Sequence, residues 1–253
     1  MQPHRRREKI LRMVRGRGDC TIAELAEALE VSDETIRRTI RPLIADGLVE
    51  KVHGGIVLNE QSGREPPFQR RMQEHVHEKS TIAELAASVV QNGDSVILDT
   101  GSTNTYVARA LRRHDKLSVV TNCTEIARTL APVGGNRVHI AGGELRADDS
   151  AVFGPSSIEF VRQFQVRYAI LSIGAITENG EFMDFHLEEA EFSRAVIAQA
   201  QCAMVVADHS KFGSRAFVRI CNADQIDVLV CDRRPNPPLA ARLEEAGISI
   251  VTP

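Results

Sequence analysis

The 253-residue chain lacks an apolar run long enough to span a bilayer, and its basic start, MQPHRRREKI, leads into an amphipathic pattern instead of an apolar signal core. The expectation is a cytoplasmic protein with no membrane partner. Cysteine is sparse and unpaired. Cys20, Cys123, Cys202, Cys221 and Cys231 are odd in number, widely spaced and never in a CxxC pair, which argues against a zinc site or a disulfide framework. The one close histidine pair, His75-x-His77, has no acidic or cysteine partner at ligand spacing, so no metal and no cofactor are expected. Neither sign of charge dominates. The net charge of -3 divides unevenly: residues 1–58 hold 11 Lys and Arg against 9 Asp and Glu, and the remainder holds 20 against 25. The basic end is the candidate polyanion binder, and the placement of its charges has to decide. What is present is ordinary for a globular protein, 43% hydrophobic and 26% charged residues, at a length that suits a short domain followed by a medium one.

Residues 1–58 read as helices followed by a hairpin. A first helix runs from about Pro3 to Arg15 with Ile10, Leu11 and Val14 inward, and Gly16 and Gly18 end it. TIAELAEALE then opens with a Thr21/Glu24 capping box and sets Ile22, Leu25, Ala26 and Leu29 on one helical face. A third helix starts at Ser32 with Asp33 and Glu34 in its first turn, and turns Ile36, Ile40, Leu43 and Ile44 inward. Its other face carries Thr35, Arg37, Arg38, Thr39 and Arg41, hydroxyls and guanidiniums of the kind that reach phosphates and base edges. An isolated basic helix is more often a solvated face. Here two short helices joined by a tight turn lead directly into Leu48–Val52, a His53-Gly54-Gly55 turn and Ile56–Leu58, which is a wing. Pro42 lacks an amide hydrogen and is expected to bend or restart the third helix.

Residues 59–74 have the polar, glycine and Pro-Pro composition of a linker. A helix follows at HEKSTIAELAASVV, with a second capping box expected at Thr81 and Glu84. Apolar runs at 95–99, 117–121, 137–141, 168–172, 202–208 and 228–232 then alternate with helical patterns. Their consecutive apolar positions point to strands covered on both faces, hence a mostly parallel sheet wrapped by helices across residues 75–253. Ligands of such sheets bind beyond the carboxyl ends of the strands. There, Asp99, Gly101, Ser102, Thr103, Asn104 and Thr105 form a hydroxyl-rich turn into a helix, a reasonable phosphate cradle that lacks the lysine of a Walker A loop. Asn122, Gly142, Gly143 and Arg146 follow other strands, as does the Asp208–Gly213 loop with His209 and Lys211. Arg146 and Lys211 can each supply charge to a phosphate.

SDETIRRTIRPLIADGLVEKVHGG, at residues 32–55, resembles the signature of DeoR-family bacterial regulators, with Ser32, Thr35–Arg38 and His53–Gly55 on the family pattern. Two positions depart from it, Thr39 where an Asp is usual and Pro42 where a helix former is commoner. The resemblance extends to the second domain through Glu78-Lys79, Asp99–Thr105, Asn122, Gly142-Gly143, Gly174, Glu188 and Asp208–Gly213. It implies a sensor fold similar to ribose-5-phosphate isomerases and coenzyme A transferases. Within the family, AGGELR, FVRQF, DFHLEEA and VVADHSKFG resemble glycerol-3-phosphate regulon repressors most. The implied protein is a repressor of carbohydrate or polyol catabolism genes that binds double-stranded operator DNA as a homo-oligomer. A small phosphorylated sugar or polyol, glycerol 3-phosphate first, releases it. The rival reading is a sugar-phosphate isomerase fused to a DNA-binding domain, with Asp99, Asp184 or Glu188 as base beside Lys211. It ranks behind because fold does not establish chemistry.

Overall fold

The computed structural model describes residues 3–17, 19–45, 48–58 and 65–253, and the chain divides into two compact units, Met1–Pro66 and Pro67–Pro253. Of the two glycines expected to end the first helix, Gly16 lies inside it, since the helix runs from Pro3 to Arg17, and Gly18 lies outside the described residues.

In the first unit, α1 (Pro3–Arg17) is followed by β1 (Asp19–Thr21), α2 (Ile22–Leu29), α3 (Asp33–Ala45), β2 (Val49–Val52) and β3 (Gly55–Leu58). The capping box at the start of α2 is formed as expected: Thr21 Oγ1 accepts the Glu24 amide at 3.2 Å, and the Glu24 carboxylate accepts the Thr21 amide at 2.7 Å. Glu30 ends α2 in the left-handed region at φ 53°. Ser32 Oγ then accepts the Thr35 amide at 3.3 Å and caps α3. The helices close on an antiparallel sheet of order β1-β3-β2, whose first strand the sequence does not suggest. Ile10, Val14, Leu25, Leu29, Ile36, Ile40, Leu43, Val49 and Ile56 bury into one core. Each large side chain so buried stabilises by about 1.5–3 kcal/mol. Leu11 and Ile44, expected inward, are only partly buried at its margin. Pro42 neither breaks nor restarts α3, which runs through it to Ala45. The hairpin turn is two residues long, His53-Gly54, because Gly55 already pairs with Val52. Gly54 supplies the φ of 81° that the turn requires, and a Cβ on Gly55 would stand 2.4 Å from the Cys20 carbonyl oxygen of β1.

The second unit begins with α4 (Phe68–Gln73), inside the stretch expected to be linker, and Phe68 is buried. α5 (Val76–Val89) starts at His75, so Thr81 lies inside the helix and donates to the His77 carbonyl at 3.1 Å instead of capping. The second capping box is therefore absent: a hydroxyl one turn into a helix bonds back to the i−4 carbonyl. Next come β4 (Ser95–Leu98), α6 (Ser102–Leu111), β5 (Ser118–Thr121), α7 (Thr124–Leu130) and β6 (Arg137–Ile140). A small hairpin of β7 (Leu145–Arg146) and β8 (Ala151–Val152) leads to α8 (Pro155–Val161) and β9 (Val166–Ser172). β10 (Ala175–Ile176), β11 (Phe182–Asp184), α9 (Leu187–Ile197), β12 (Ala200–Val206) and β13 (Val218–Cys221) follow. β14 (Val228–Val230), α10 (Pro237–Glu245) and β15 (Ser249–Val251) complete the unit.

Seven strands form one parallel sheet in the order β15-β14-β12-β9-β4-β5-β6, which contains all six of the expected strands. The consecutive apolar positions are explained by two faces. On β9, Ala169 and Leu171 pack with Val161, Phe192, Val196, Leu239 and Leu243 on one side, while Tyr168 and Ile170 pack with Ile82, Ala86, Val107 and Leu111 on the other. β10, β11 and the edge strand β15, of two or three residues each, are too short to show a pattern in sequence, and β13, whose Val218-Arg219-Ile220-Cys221 includes an arginine, lacks the consecutive apolar run.

Candidate DNA-binding face and effector site

Helix α3 exposes Ser32, Arg37, Arg38 and Arg41 and leaves Thr35 half-buried, and His53 is exposed at the tip of the wing. The stripe Ile36, Ile40 and Leu43 fixes this orientation by packing inward. Thr39 departs from the expectation. It is 8% exposed, and its hydroxyl donates to the Thr35 carbonyl at 2.6 Å. Its position follows Arg38 by one helical step of about 100°, which carries it off the arginine face and onto the flank of the core. Ser32 is engaged in capping and touches Thr35 Oγ1 at 2.9 Å.

In the second unit the informative residues gather beyond the carboxyl ends of β4, β9 and β12, which are neighbours in the sheet. Asp99 ends β4. Its Oδ1 accepts the Ser172 amide at 2.9 Å and Asn104 Nδ2 at 2.5 Å, and the same Nδ2 reaches the Ile170 carbonyl at 2.8 Å. Burial pushes the Asp99 carboxyl well above the usual carboxylate range, although these donors pull the other way. Asn104, fully buried, is thus a brace between β4 and β9, and Thr105 Oγ1 turns back to the Gly101 carbonyl at 2.9 Å. The Thr105 hydroxyl is thus spent inside the helix, whereas Asn104 uses only its Nδ2 and keeps a buried Oδ1 without a partner among the described residues. Gly101, at φ 147°, lies so close to Ser172 that an added Cβ would stand 2.5 Å from its Cβ and Oγ. No side chain caps α6, so the amides at Ser102 and Thr103 have no intrahelical partner, and both residues are buried.

The sequence offers Arg146 as a phosphate cation, but its charge is already used. Its Nε donates to Asp149 Oδ1 at 3.0 Å, its Nη2 donates to Asp149 Oδ2 at 2.5 Å and also to Glu189, and the guanidinium lies 4.3 Å from the centroid of the Phe153 ring. Thr100 Oγ1 joins the cluster at 3.4 Å from Asp149 Oδ2. Glu188 is exposed on the first turn of α9, and its neighbour Glu189 is the one turned inward. In the Glu-Glu pair of DFHLEEA, sequence alone offers no means of choosing between them. Asn122 is also internal, its Nδ2 donating to the Val152 carbonyl at 3.0 Å. Gly142 is exposed, and Gly143 approaches Val152, whose Cγ1 would be 2.6 Å from an added Cβ. Gly174 is pressed against Phe185 and Asp184 and serves close packing.

A second cluster stands beyond β12. Asp208 caps a 3-10 turn, His209–Lys211, by accepting the Ser210 amide at 3.0 Å. Burial acts to raise the Asp208 pKa, but Ser210, Lys211 and His75 outweigh it and hold the carboxyl below its usual range. His209 Nδ1 lies 2.8 Å from Asp232 Oδ2, and its ring meets His75 edge-on at 5.6 Å between centroids. Lys79, only 4% exposed, donates through Nζ to the carbonyls of Arg71 and Glu74 (2.8 Å to Glu74), and so holds the end of α4. Burial lowers its pKa to about 8; Asp208 opposes this shift and Lys211 adds to it. Tyr106 of α6 also reaches α4, donating to the Met72 carbonyl at 3.0 Å. Lys211 itself has no ion-pair partner among the described residues. Two groups of candidates thus stand beyond strands that flank β9: Asp99 and Gly101–Thr105 after β4, with Arg146 paired to Asp149 next to Thr100, and Asp208–Lys211 after β12 with Lys79.

A winged helix with an exposed arginine face, joined to an α/β unit with polar groups at its sheet edge, defines a DNA-binding transcription regulator with a sensor domain. The family described as DeoR-like helix-turn-helix domain matches residues 6–62, and that described as DeoR C terminal sensor domain matches residues 74–233. The chain belongs to the DeoR family of transcriptional repressors. It is 36% identical over 248 residues to the HTH-type transcriptional repressor CsqR of Escherichia coli (strain K12), covering 98% of this chain and 95% of that one. It is 34% identical over 235 residues to the Glycerol-3-phosphate regulon repressor of the same organism, covering 93% of each. Among solved structures, the tetrameric eIF2B-beta2-delta2 complex from C. thermophilum matches with a TM-score of 0.52 at 13% identity, covering 96% of this chain and 71% of that one, a likeness of fold alone. The ribose 5-phosphate isomerase from Plasmodium falciparum matches at a TM-score of 0.39, covering 53% of this chain and 52% of that one at 14% identity. The expected repressor class holds, and the isomerase-fusion reading is set aside, because the relatives that cover the whole chain are regulators. No described helix is long and apolar enough to cross a membrane.

Proposed function

We propose that the protein represses its target genes by holding operator DNA through α3 and the wing, as a homo-oligomer, and that a small phosphorylated sugar or polyol releases it. Glycerol 3-phosphate is the first compound to test. The observation that carries this reading is the uncapped start of α6 behind Gly101, on the same sheet edge as an unpaired Lys211. Free amides at a helix start favour an anion, and a lysine ammonium adds a charge-assisted bond. Lys79 stands close enough to Asp208 and Lys211 to feel both charges. The Glycerol-3-phosphate regulon repressors among the relatives support the choice of first compound.

Release requires the ligand to prefer the DNA-free form, and operator must then weaken ligand binding by the same factor. The test is fluorescence anisotropy of a labelled operator duplex, titrated with phosphorylated sugars and polyols and with their unphosphorylated forms. The expected result is release by one phosphorylated compound, lost in Lys211→Met while operator affinity is kept. Release by an unphosphorylated compound alone would show the anion reading to be wrong. Release by a phosphorylated sugar other than glycerol 3-phosphate would correct only the identity of the effector.

A further inference from the structure

We infer that the cleft between α3 and the wing is a seat for one backbone phosphate of DNA, closed by Arg37, Arg41 and Lys51, and that base reading falls to Arg38 on the adjoining face. This rests on the DNA-binding reading above and divides its labour. A pocket of about 200 Å³ lies between helix and hairpin, entirely within the first unit, lined by Ile22, Arg37, Ile40, Arg41, Ile44, Lys51, Val52, Gly54 and Gly55. Three of these are cations and none is an acid. None of the three has an ion pair or a side-chain hydrogen bond among the described residues. Like charges facing a shared space repel one another, and no acid lines that space to offset the repulsion; an incoming anion does.

The geometry sorts the arginines. Arg37 and Arg41 are one helical turn apart and face the wing together, as their place in the pocket wall requires. Arg38, one residue on, is exposed and does not line the pocket. Lys51 comes from β2 opposite, and Gly54 and Gly55 keep the wing side of the cleft free of side-chain bulk. Val52, 40% exposed, lines the same wall. A duplex lays a regular row of phosphates along each strand, so a cleft with two cations from the helix and one from the wing suits one phosphate at the groove's lip. A phosphate held there fixes register and carries no sequence information. The base contact is left to a side chain outside the cleft.

The test uses the full chain, a duplex selected from a random library by the wild-type protein, and a scrambled duplex of the same composition, across a range of KCl concentrations. For the Arg37→Ala/Arg41→Ala/Lys51→Ala triple variant, which strips the seat of every cation, the expected result is equal weakening on both duplexes, with the slope of log affinity against log salt shallower by about 0.9 because one phosphate is no longer neutralised. The wild-type advantage then narrows about threefold to fourfold when salt rises fourfold. The base preference read by repeated library selection stays as in wild type. Arg38→Ala is expected to do the reverse and blunt preference at one position. Unchanged affinity and slope in the triple variant, or a changed base preference at constant slope, would overturn the phosphate seat while leaving DNA binding intact. A wild-type chain with no affinity for any duplex would overturn both readings. All three cations are exposed, so their removal leaves the core of the unit untouched.

Discussion

Replacing Arg146 by Met tests whether that guanidinium belongs to the ligand or to the fold. The change removes two bonds to Asp149, one to Glu189 and the stack on Phe153, and it leaves carboxylates 1% and 10% exposed without a counter-ion. Deleting one member of a buried pair costs about 3–5 kcal/mol, chiefly because the other stays buried and charged. Arg146 is itself 30% exposed, so water enters part of the vacated space, and the expected loss is about 2–3 kcal/mol. Against a total stability of about 5–15 kcal/mol, that is readily measured. Urea titration followed by far-UV circular dichroism suits a chain without tryptophan. Adding Glu189→Gln to Arg146→Met removes one of the stranded charges and should restore part of the loss, a coupling the double-mutant cycle reads directly. A loss below about 1 kcal/mol, the range of an exposed pair, would refute the reasoning. So would an Arg146→Met variant of full stability that no longer answers to effector, since Arg146 would then be a ligand contact.

Lys79 should leave a mark on the pH dependence of stability. Its pKa falls to about 8 in the folded chain against about 10.4 unfolded, so the cost of burying the charge is fully present below pH 8 and is relieved as pH rises between those values. The stability of wild type relative to Lys79→Met is expected to rise by about 1–3 kcal/mol from pH 7 to 10; thiols that titrate in the opposite sense are common to both proteins and cancel, and a flat difference would show that the ammonium is not desolvated. Gly101→Ala combines a φ of 147° with a Cβ 2.5 Å from Ser172, and is expected to cost about 1–3 kcal/mol, of which Ser172→Gly relieves only the steric part; an unchanged melting temperature would contradict the geometry. Thr21→Ala removes the α2 cap and should destabilise the first unit by about 1 kcal/mol, and a denaturation midpoint equal to wild type would mean that Glu24 and water hold the helix start unaided.

The elements that sequence reveals are those with a local cause. Thr21 and Glu24 stand at capping-box spacing in front of an apolar stripe, and the helix forms there. The same TIAELA hexamer at Thr81 misleads, because α5 is already under way from Val76 and the hexamer carries no information about what precedes it. Strands buried on both faces are legible as apolar runs, whereas β10, of two residues, and β11 and β15, of three each, are defined by the neighbours they pair with. At the candidate site, sequence places the loops after β4 and β12 at the carboxyl edge of the sheet but not the direction of each side chain. Thr39, Asn104 and Thr105 look in sequence like outward donors and are turned inward by the helices that carry them. Asp149 and Glu189 escape a reading of the sequence, since their role exists only through Arg146, which comes from a different part of the chain from Glu189.

Both candidate sites depend on basic side chains, so the distinction between a binding cation and a structural one decides the reading. The chain has 34 acids for 31 Lys and Arg, and many of its cations find partners: Arg146 with Asp149 and Glu189, Arg167 with Asp94 at 2.8 Å, Arg234 with Glu244 at 2.6 Å. An exposed, unpaired arginine such as Arg12 or Arg112 is uninformative, because a long charged side chain standing in water is the common state. Arg37, Arg41 and Lys51 differ in converging on one pocket that holds no acid. Lys211 differs in a second way: it stands beside Lys79, whose ammonium is already held by two carbonyls of the α4 end. An anion arriving there meets one cation committed to two carbonyls and one, Lys211, that has no ion-pair partner among the described residues and acts on Asp208 only through its field, and the latter gains most by its arrival. For that reason Lys211, and not the better-buried Lys79, is the residue whose loss should silence the effector response without disturbing the fold.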